Sequence, residues 1–340
     1  MLRNRSKVPA SILNIEHLKR VKNIMKYQPI DMTGVKTYPL SERKNKVVMA
    51  KHRAGGVRAG MTVAELLAAF PDQLGSQALL GVIDAVVAAR AKGKPVIMAM
   101  GAHVIKCGLQ PVLKSLIDAG IISAVALNGA GPVHDYEISL IGETSEDVGA
   151  VLHEGCFGMA EETGRDINRA LKCGVERGVG YGEAVGRFII DNNNPYREYS
   201  LLAACVERDI PVTVHVALGT DIIHQHPTAD GAVIGAATFT DFRLLTAVVS
   251  ELGDGGVFLN VGSAVILPEV FLKALSIAQN LGHRVDRFTT ANFDMQQHYR
   301  PLQNVVKRPT AGQSKGYTIT GHHEIMLPLL AAGILDRVKG

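Results

Sequence analysis

The chain has no tryptophan, and aromatic residues make up only 5% of its 340 positions. Its core must therefore come from Val, Ile, Leu and Ala, within a hydrophobic fraction of 47%. An aliphatic core of that kind suits a parallel sheet covered by helices on both faces. Cysteine is scarce too. Cys107, Cys156, Cys173 and Cys205 show no C-x-x-C and no paired spacing, which gives no ground for a disulfide framework and points to a reducing cytoplasm. No uninterrupted apolar run approaches the roughly 18 residues of a membrane span. None follows Met1-Leu2-Arg3-Asn4-Arg5, so a secretory signal is not expected. H-E-x-x-H and the strict G-x-G-x-x-G fingerprint are both missing.

What the chain does have is glycine and an uneven charge. Its 35 glycines exceed the roughly 24 that average usage gives for this length. The excess falls at the ends of apolar runs, where close backbone approach to a ligand is one use of glycine. Residues 1–60 hold 14 Lys and Arg against Glu16, Asp31 and Glu42, while in the remainder 22 basic residues face 29 acids. A basic arm of this kind serves nucleic acid or another anionic partner. The plainer reading, preferred here, is an extension that packs on an acidic neighbouring subunit or stays solvated. Nucleic acid is not the expected partner.

The pattern divides the chain into a basic N-terminal arm, residues 1–59, and a single α/β domain, residues 60–340. One helix is expected within the arm, near Leu13–Met25. Helices are predicted near Thr62–Ala69, Ser76–Ala91 and Lys106–Ala119, from apolar residues at helical spacing. Further helices are predicted at Met159–Lys172, Tyr196–Glu207, Phe239–Leu252, Pro268–Leu281 and Leu327–Ile334. Strands are predicted at Val96–Met100, Ile121–Leu127, Ile210–Ala217, Val257–Val261 and Phe288–Ala291. The glycines of Cys173–Gly186 follow no strand, so they do not read as a dinucleotide loop. Arg308–Gly316 reads as a polar loop. The order strand, turn, helix, strand in residues 96–127 describes a βαβ unit.

Five turns end the apolar runs: Gly101-Ala102-His103, Asn128–Gly131, Gly219–His226, Gly262-Ser263 and Thr290–Asp294. In a parallel sheet they converge on the carboxyl edge, where ligands bind in open α/β sheets. His134-Asp135-Tyr136-Glu137 follows the second turn. A histidine with two carboxylates can move protons or hold a cationic amine; the same residues also suit the start of a helix. His224-Gln225-His226, on a strand, would put two imidazoles on one face, as a metal site requires. His215, Asp230, His322, His323 and Glu324 would complete such a shell. The preferred reading is a polar turn that binds an amine or phosphate, with no metal. Lys315, in Gly312–Gly316, is either a solvated lysine or a nucleophile beside a cofactor.

From about Met61 the order of these motifs resembles the deoxyhypusine synthase family. The resemblance is carried by MTVAELLAAF, by Met100–Gly108, by Asn128–Gly131 followed by Asp135, and by Ile210-Pro211-Val212 leading to Gly219-Thr220-Asp221. Phe258–Ser263, Thr289-Thr290-Ala291 with Asp294, Arg308-Pro309 and Leu327–Leu330 continue it. The resemblance implies a Rossmann-like NAD-binding fold and a homotetramer with active sites at subunit interfaces. It further implies oxidation of an amine carbon of spermidine, with hydride passed to NAD and group transfer through a lysine imine. By the same resemblance Ala102, His103, Gly129, Ala130, Gly131, Gly262, Ser263, Thr290, Ala291 and Asp294 would contact NAD, and Asp221 would hold a substrate ammonium. The family's Ser-Trp-Gly-Lys loop stands here as Ser314-Lys315-Gly316-Tyr317, with the lysine two positions early.

Locally, Asn128–Ile138 (NGAGPVHDYEI) is also similar to the His-Asp-Ile-Glu stretch of NAD-dependent ornithine cyclodeaminases. Both families begin by oxidising an amine carbon to an imine. Together they imply a cytoplasmic NAD-dependent enzyme acting on a small cationic amine, a polyamine or diamino acid. His134 or His224 would take the ammonium proton. Asp135, Glu137, Asp221 and Glu324 would bind the cationic ends, and Lys315 would carry an imine. A cyclodeaminase-like lyase, a non-catalytic NAD sensor with a partner-binding arm, and a metal-dependent hydrolase remain alternatives.

Overall fold

The computed structural model describes residues 27–338; the helix expected near Leu13–Met25 lies outside them. The chain divides into two compact units, the first ending at Val48 and the second beginning at Met49. In the first, residues 27–48 are exposed throughout, with one 3-10 turn at Leu40–Glu42.

The second unit is built on six strands: β1 Val96–Met100, β2 Ala124–Asn128, β3 Val212–His215, β4 Val257–Val261, β5 Thr289–Asp294 and β6 Lys315–Thr320. All neighbours pair in parallel, in the order β3-β2-β1-β4-β5-β6. This is the doubly wound order in which the winding reverses between the first and fourth strands, opening a crevice at their carboxyl ends. The Rossmann-like α/β sheet expected from the sequence is therefore the fold observed.

Strands β1 to β5 are buried almost throughout. Successive side chains alternate between two cores, as the two-residue period of a strand dictates. Val96, Met98 and Met100 join Val125, Leu127, Val212 and Val214 under one helical layer. Ile97, Ala99, Ala124, Ala126 and Phe258 meet the helix Ile266–Asn280, Val305, and Leu245 and Val249 of the helix Gly231–Ser250 on the other face. Phe258 stacks on Phe271 at 3.8 Å, supplying aromatic packing in a core with few aromatics.

The glycines of the 173–186 stretch find their reason in packing. A Cβ at Gly182 would stand 2.1 Å from the Val212 carbonyl oxygen, so only glycine lets the helix Tyr181–Asp191 reach β3. Two helices, Leu74–Ala91 and Gly231–Ser250, are long and apolar enough by composition to cross a bilayer. Here both pack into the cores of the sheet, through Val82, Ile83 and Val86 in the first and Ile234, Leu245 and Val249 in the second.

Three expectations need correction. The helix predicted at Lys106–Ala119 is two, His103–Lys106 and Gln110–Asp118, broken at Gly108 with φ +69°. Strand β5 runs on to Asp294 instead of ending at Ala291. The expected loop at Arg308–Gly316 ends in strand β6, which begins at Lys315 and pairs with β5 over its whole length.

Candidate active site at the carboxyl edge

The parallel sheet brings residues 101–103, 128–131, 216–226, 262–263 and 294 to one edge. At the β1/β4 reversal the backbones nearly touch. Gly101 N donates to Val261 O at 2.9 Å, and a Cβ on Gly101 would fall 2.4 Å from the Gly262 carbonyl oxygen. Gly262 has φ +69°, and a Cβ there would lie 2.5 Å from His323 Nε2. His323 is 3% exposed with Nδ1 unpartnered; burial lowers its pKa, against an opposite push from Asp294, so the ring is neutral. Ser263 and Asn260 shape the turn: Asn260 Nδ2 donates to Ser263 O at 2.9 Å, and Ser263 Oγ accepts from Leu267 N at 3.2 Å. The helix Ile266–Asn280 starts here without a side-chain cap on its N-cap residue. The helix dipole at such a terminus favours phosphate, although Ser263 fills the Leu267 amide and Pro268 brings none. Close backbones beside a helix terminus are features that a dinucleotide site uses, and Gly101, Ala102, Gly262, Ser263 and Asp294 stand there.

Beside this crevice lies a cavity of about 1020 Å³. Its wall carries Glu137, Glu143, Glu146, Glu162 and Asp221, against Lys106 and His134. Five carboxylates facing one lysine set a potential that draws cations.

The helix Ala130–Ile141 supplies one wall. His134 and Glu137, three residues apart, share its cavity face. Thr144 joins them: Thr144 Oγ donates to Glu137 Oε2 at 2.5 Å and lies 2.6 Å from His134 Nδ1. The one hydroxyl proton goes to the carboxylate, so the hydroxyl oxygen accepts from His134 Nδ1–H. That fixes the tautomer and leaves the Nε2 lone pair free. Thr163 Oγ also donates to Glu137, at 3.1 Å. Burial raises the Glu137 pKa, but the neighbouring His134 and the hydrogen bonds from Thr144 and Thr163 outweigh it and hold the group below its ordinary value.

Asp221 and His224 form the opposite corner. His224 Nδ1 accepts from Gly219 N at 3.1 Å and Asp221 N at 3.2 Å, so Nε2 carries the proton. Nε2 lies 3.8 Å from Asp221 Oδ2, with the two side chains 7% and 8% exposed. Asp221 Oδ2, His224 Nε2 and Asn128 Oδ1 are all buried without a hydrogen-bond partner. A Cβ at Gly129 would stand 1.9 Å from Asp221 Oδ2, so glycine there makes room for the carboxylate. Burial raises the Asp221 pKa, opposed by the neighbouring His224 and by Thr220. Buried polar groups are almost always paired; the orphans Asp221 Oδ2 and His224 Nε2, 3.8 Å apart, mark a place for a ligand.

Other expected site residues stand elsewhere. Asp135 is 0% exposed and points inward. It accepts from Ser200 Oγ at 2.5 Å, Leu201 N at 2.8 Å and Leu202 N at 3.1 Å, anchoring the start of the helix Leu201–Glu207. One residue along a helix turns the side chain by about 100°, which carries Asp135 out of reach of the cavity. Thr290 and Ala291 lie inside β5, paired with Phe258 and Leu259, and are 0% exposed; a strand that continues to Asp294 moves them below the edge. Gly131 is buried on Leu127, serving helix-to-sheet packing. Lys315 starts β6 at the amino edge, opposite Thr289. Over five residues at about 3.3 Å each it sits roughly 17 Å from the carboxyl end of its strand, so it cannot meet a cofactor in the crevice.

Glu324 opens the last helix beside Cys107, whose Sγ lies 4.0 Å from Glu324 Oε2 and 3.3 Å from His103 Nε2. Burial and the Glu324 charge raise the Cys107 pKa, keeping the thiol protonated. His224 and His226 lie at a 3-10 turn, not a strand, so their rings diverge; His226 turns to Thr228. No group of three or more His, Cys, Asp or Glu is placed to hold a metal among the described residues. Sequence reasoning missed Thr144 and Thr163, since a threonine seven or more residues from its partner, across a turn, leaves no pattern. It also missed Lys106.

No family model and no curated protein sequence matches the chain. Among solved structures it is similar to a mutant of AgrE in a binary complex with L-arginine, at 15% identity and TM-score 0.50, covering 79% of this chain and 34% of that one. It is also similar to AgrE in a ternary complex with ornithine and NAD+, at 16% identity and TM-score 0.48, covering 77% and 33%. An Entamoeba histolytica protein assigned as a deoxyhypusine synthase matches at 10% identity and TM-score 0.49, over 82% of this chain and 94% of that one. The chain spans about a third of the length of the AgrE chains. The likeness is one of fold.

Proposed function

We propose that the chain is an NAD-dependent enzyme that oxidises an amine carbon of a small polyamine or diamino acid to an imine. The observation that carries this reading is the acid-lined cavity with Asp221 in its wall, whose Oδ2 is a buried acceptor without a donor. A primary ammonium supplies the missing donor, and its hydrogen bonds to a carboxylate are charge-assisted. Bound in the β1/β4 crevice, NAD would accept a hydride from the amine carbon.

The chain's own residues do the rest. Asp221 orients the ammonium. His134 Nε2 takes one of its protons, because an amine must be neutral before its carbon can lose hydride. Glu137, ionised and joined through Thr144, stabilises the imidazolium that results. Loss of hydride from the neutral amine leaves an iminium cation, which the ring of carboxylates favours. His224 is held with its proton on Nε2 and acts as a donor, so the base is His134. With Lys315 at the far edge of the sheet, transfer through a lysine imine there is not part of the reading; the imine is transferred or released by other means. Residues 60–340 would form the catalytic domain, working as a cytoplasmic homotetramer.

The test is to mix the protein with NAD and a panel of spermidine, putrescine, ornithine and agmatine, and to follow reduced nicotinamide and ammonia. Reduction of NAD with at least one amine supports the reading. Bound NAD with no turnover of any amine would overturn it.

A further inference from the structure

A second cavity, of about 370 Å³, opens at the opposite, amino edge of the sheet. It lies where the helix Leu74–Ala91 ends and β5 and β6 begin. Lys92, Arg287 and Lys315 line it, with Asp84, Gln313 and Tyr317. The single carboxylate is already taken, by an ion pair between Asp84 and Arg337. Arg287 is held by Asp254, with Nε 2.7 Å from Oδ1. Lys92 and Lys315 have no ion pair and no side-chain hydrogen bond among the described residues. At Gly255, with φ +124°, a Cβ would stand 3.4 Å from Lys92 Cδ and 3.5 Å from Nζ, so the lysine stem crosses bare backbone. The Tyr317 hydroxyl rests against Gly81, where a Cβ would be 2.7 Å away.

Each lysine has an ordinary reason to be where it is. Lys92 closes a helix, where the dipole favours a cation, and Lys315 starts an edge strand, where lysine blocks strand addition. Neither reason explains why both converge with an arginine on one concave surface. Unpaired like charges there repel unless an anion is shared between them. We propose that this cavity binds a small dianionic ligand bearing a phosphoryl group. A volume of this size is in the range of small-molecule sites. The site is separate from the carboxyl-edge crevice by the length of β6, roughly 17 Å, so its occupant is neither the reacting amine nor its cofactor. β5 links the two, with Thr289 lining the cavity and Asp294 at the crevice.

Calorimetric titration with inorganic pyrophosphate at low ionic strength tests this, with NAD present and absent. The parent protein should bind pyrophosphate in both conditions. The double variant Lys92→Gln/Lys315→Gln should bind it at least tenfold more weakly, with an unchanged melting temperature and unchanged NAD affinity. Lys273→Gln, a lysine already paired with Glu269, should bind as the parent does. Competition by NAD, equal affinity in the double variant, an equal loss in Lys273→Gln, or no binding at several millimolar pyrophosphate would each overturn the proposal.

Discussion

Asp135 and Asp221 are both buried acids near the carboxyl edge, and the fold treats them in opposite ways. Asp135 belongs to an inner layer, where Ser200 and the Leu201 and Leu202 amides fill its oxygens, and Asp241 belongs to the same layer with one oxygen filled. Asp241 Oδ2 accepts from Gly182 N at 3.0 Å and Val214 N at 2.7 Å, tying a helix start to β3. Asp221, with His134 and Glu137, belongs to the cavity wall, and its Oδ2 is left without a donor. Asp241 Oδ1 is also unpaired, but it lines neither the acid-lined cavity nor the amino-edge one, whereas Asp221 stands in the wall of the first. The difference teaches that burial and charge alone do not mark a functional acid; an unfilled lone pair at a cavity wall is what sets Asp221 apart.

The inner layer should break first, and as stability. Burial pushes the Asp241 pKa up to about 7, against the pull of Gly182, Val214 and Tyr181. The unfolded chain releases that proton near pH 4. The folded form therefore binds more protons between about 4 and 7, and stability falls as pH rises through that window. Asp135, pushed by burial up to about 6, adds to the fall over a narrower range. His215, pushed by burial down to about 3, acts in the opposite sense between about 3 and 6.5. Urea unfolding across this range should show a component of about 2–4 kcal/mol that Asp241→Asn removes. Asp135→Ala should cost about 3 kcal/mol, since it strands the Leu201 and Leu202 amides and the Ser200 hydroxyl.

The cavity wall should break as activity. Asp221→Asn should slow amine-dependent NAD reduction about a hundredfold without lowering the unfolding free energy, because no donor is stranded. His134→Gln should slow it about tenfold to a hundredfold. A Glu137→Gln variant that loses rate, but not when His134→Gln is already present, with binding kept, would sharpen the assignment of Glu137 to imidazolium stabilisation. Lys315→Ala should have the smallest effect, within about twofold in rate, since it lies at the amino edge; a large loss would break the comparison.

Much of this arrangement was legible in the sequence, for physical reasons. Val96–Met100 and Val257–Val261 are short aliphatic runs bounded by glycine, and the structure places strands over those same residues. The Gly101 and Gly262 turns follow from them. Strand β6 was hidden because an edge strand reading KGYTIT is mostly polar and partly exposed, and β5 was cut short because Asn292 and Asp294 look like turn residues. That error carried Thr290, Ala291 and Lys315 to the wrong edge. His134 and Glu137 could be paired by their spacing, but which of Asp135 and Glu137 faces the cavity depends on how the helix sits on the sheet. The unfilled oxygen of Asp221 left no sign, since an unpaired lone pair is a property of the packed chain alone.

The central claim is that the unpaired Asp221 carboxylate holds the amine being oxidised. Its most direct test measures NAD reduction by the amine panel in the parent protein and in Asp221→Asn, with the unfolding free energy of each. The account predicts turnover of at least one amine by the parent, about a hundredfold less in the variant, and stability that is equal or higher. An Asp221→Asn protein that keeps the parent's rate would contradict it.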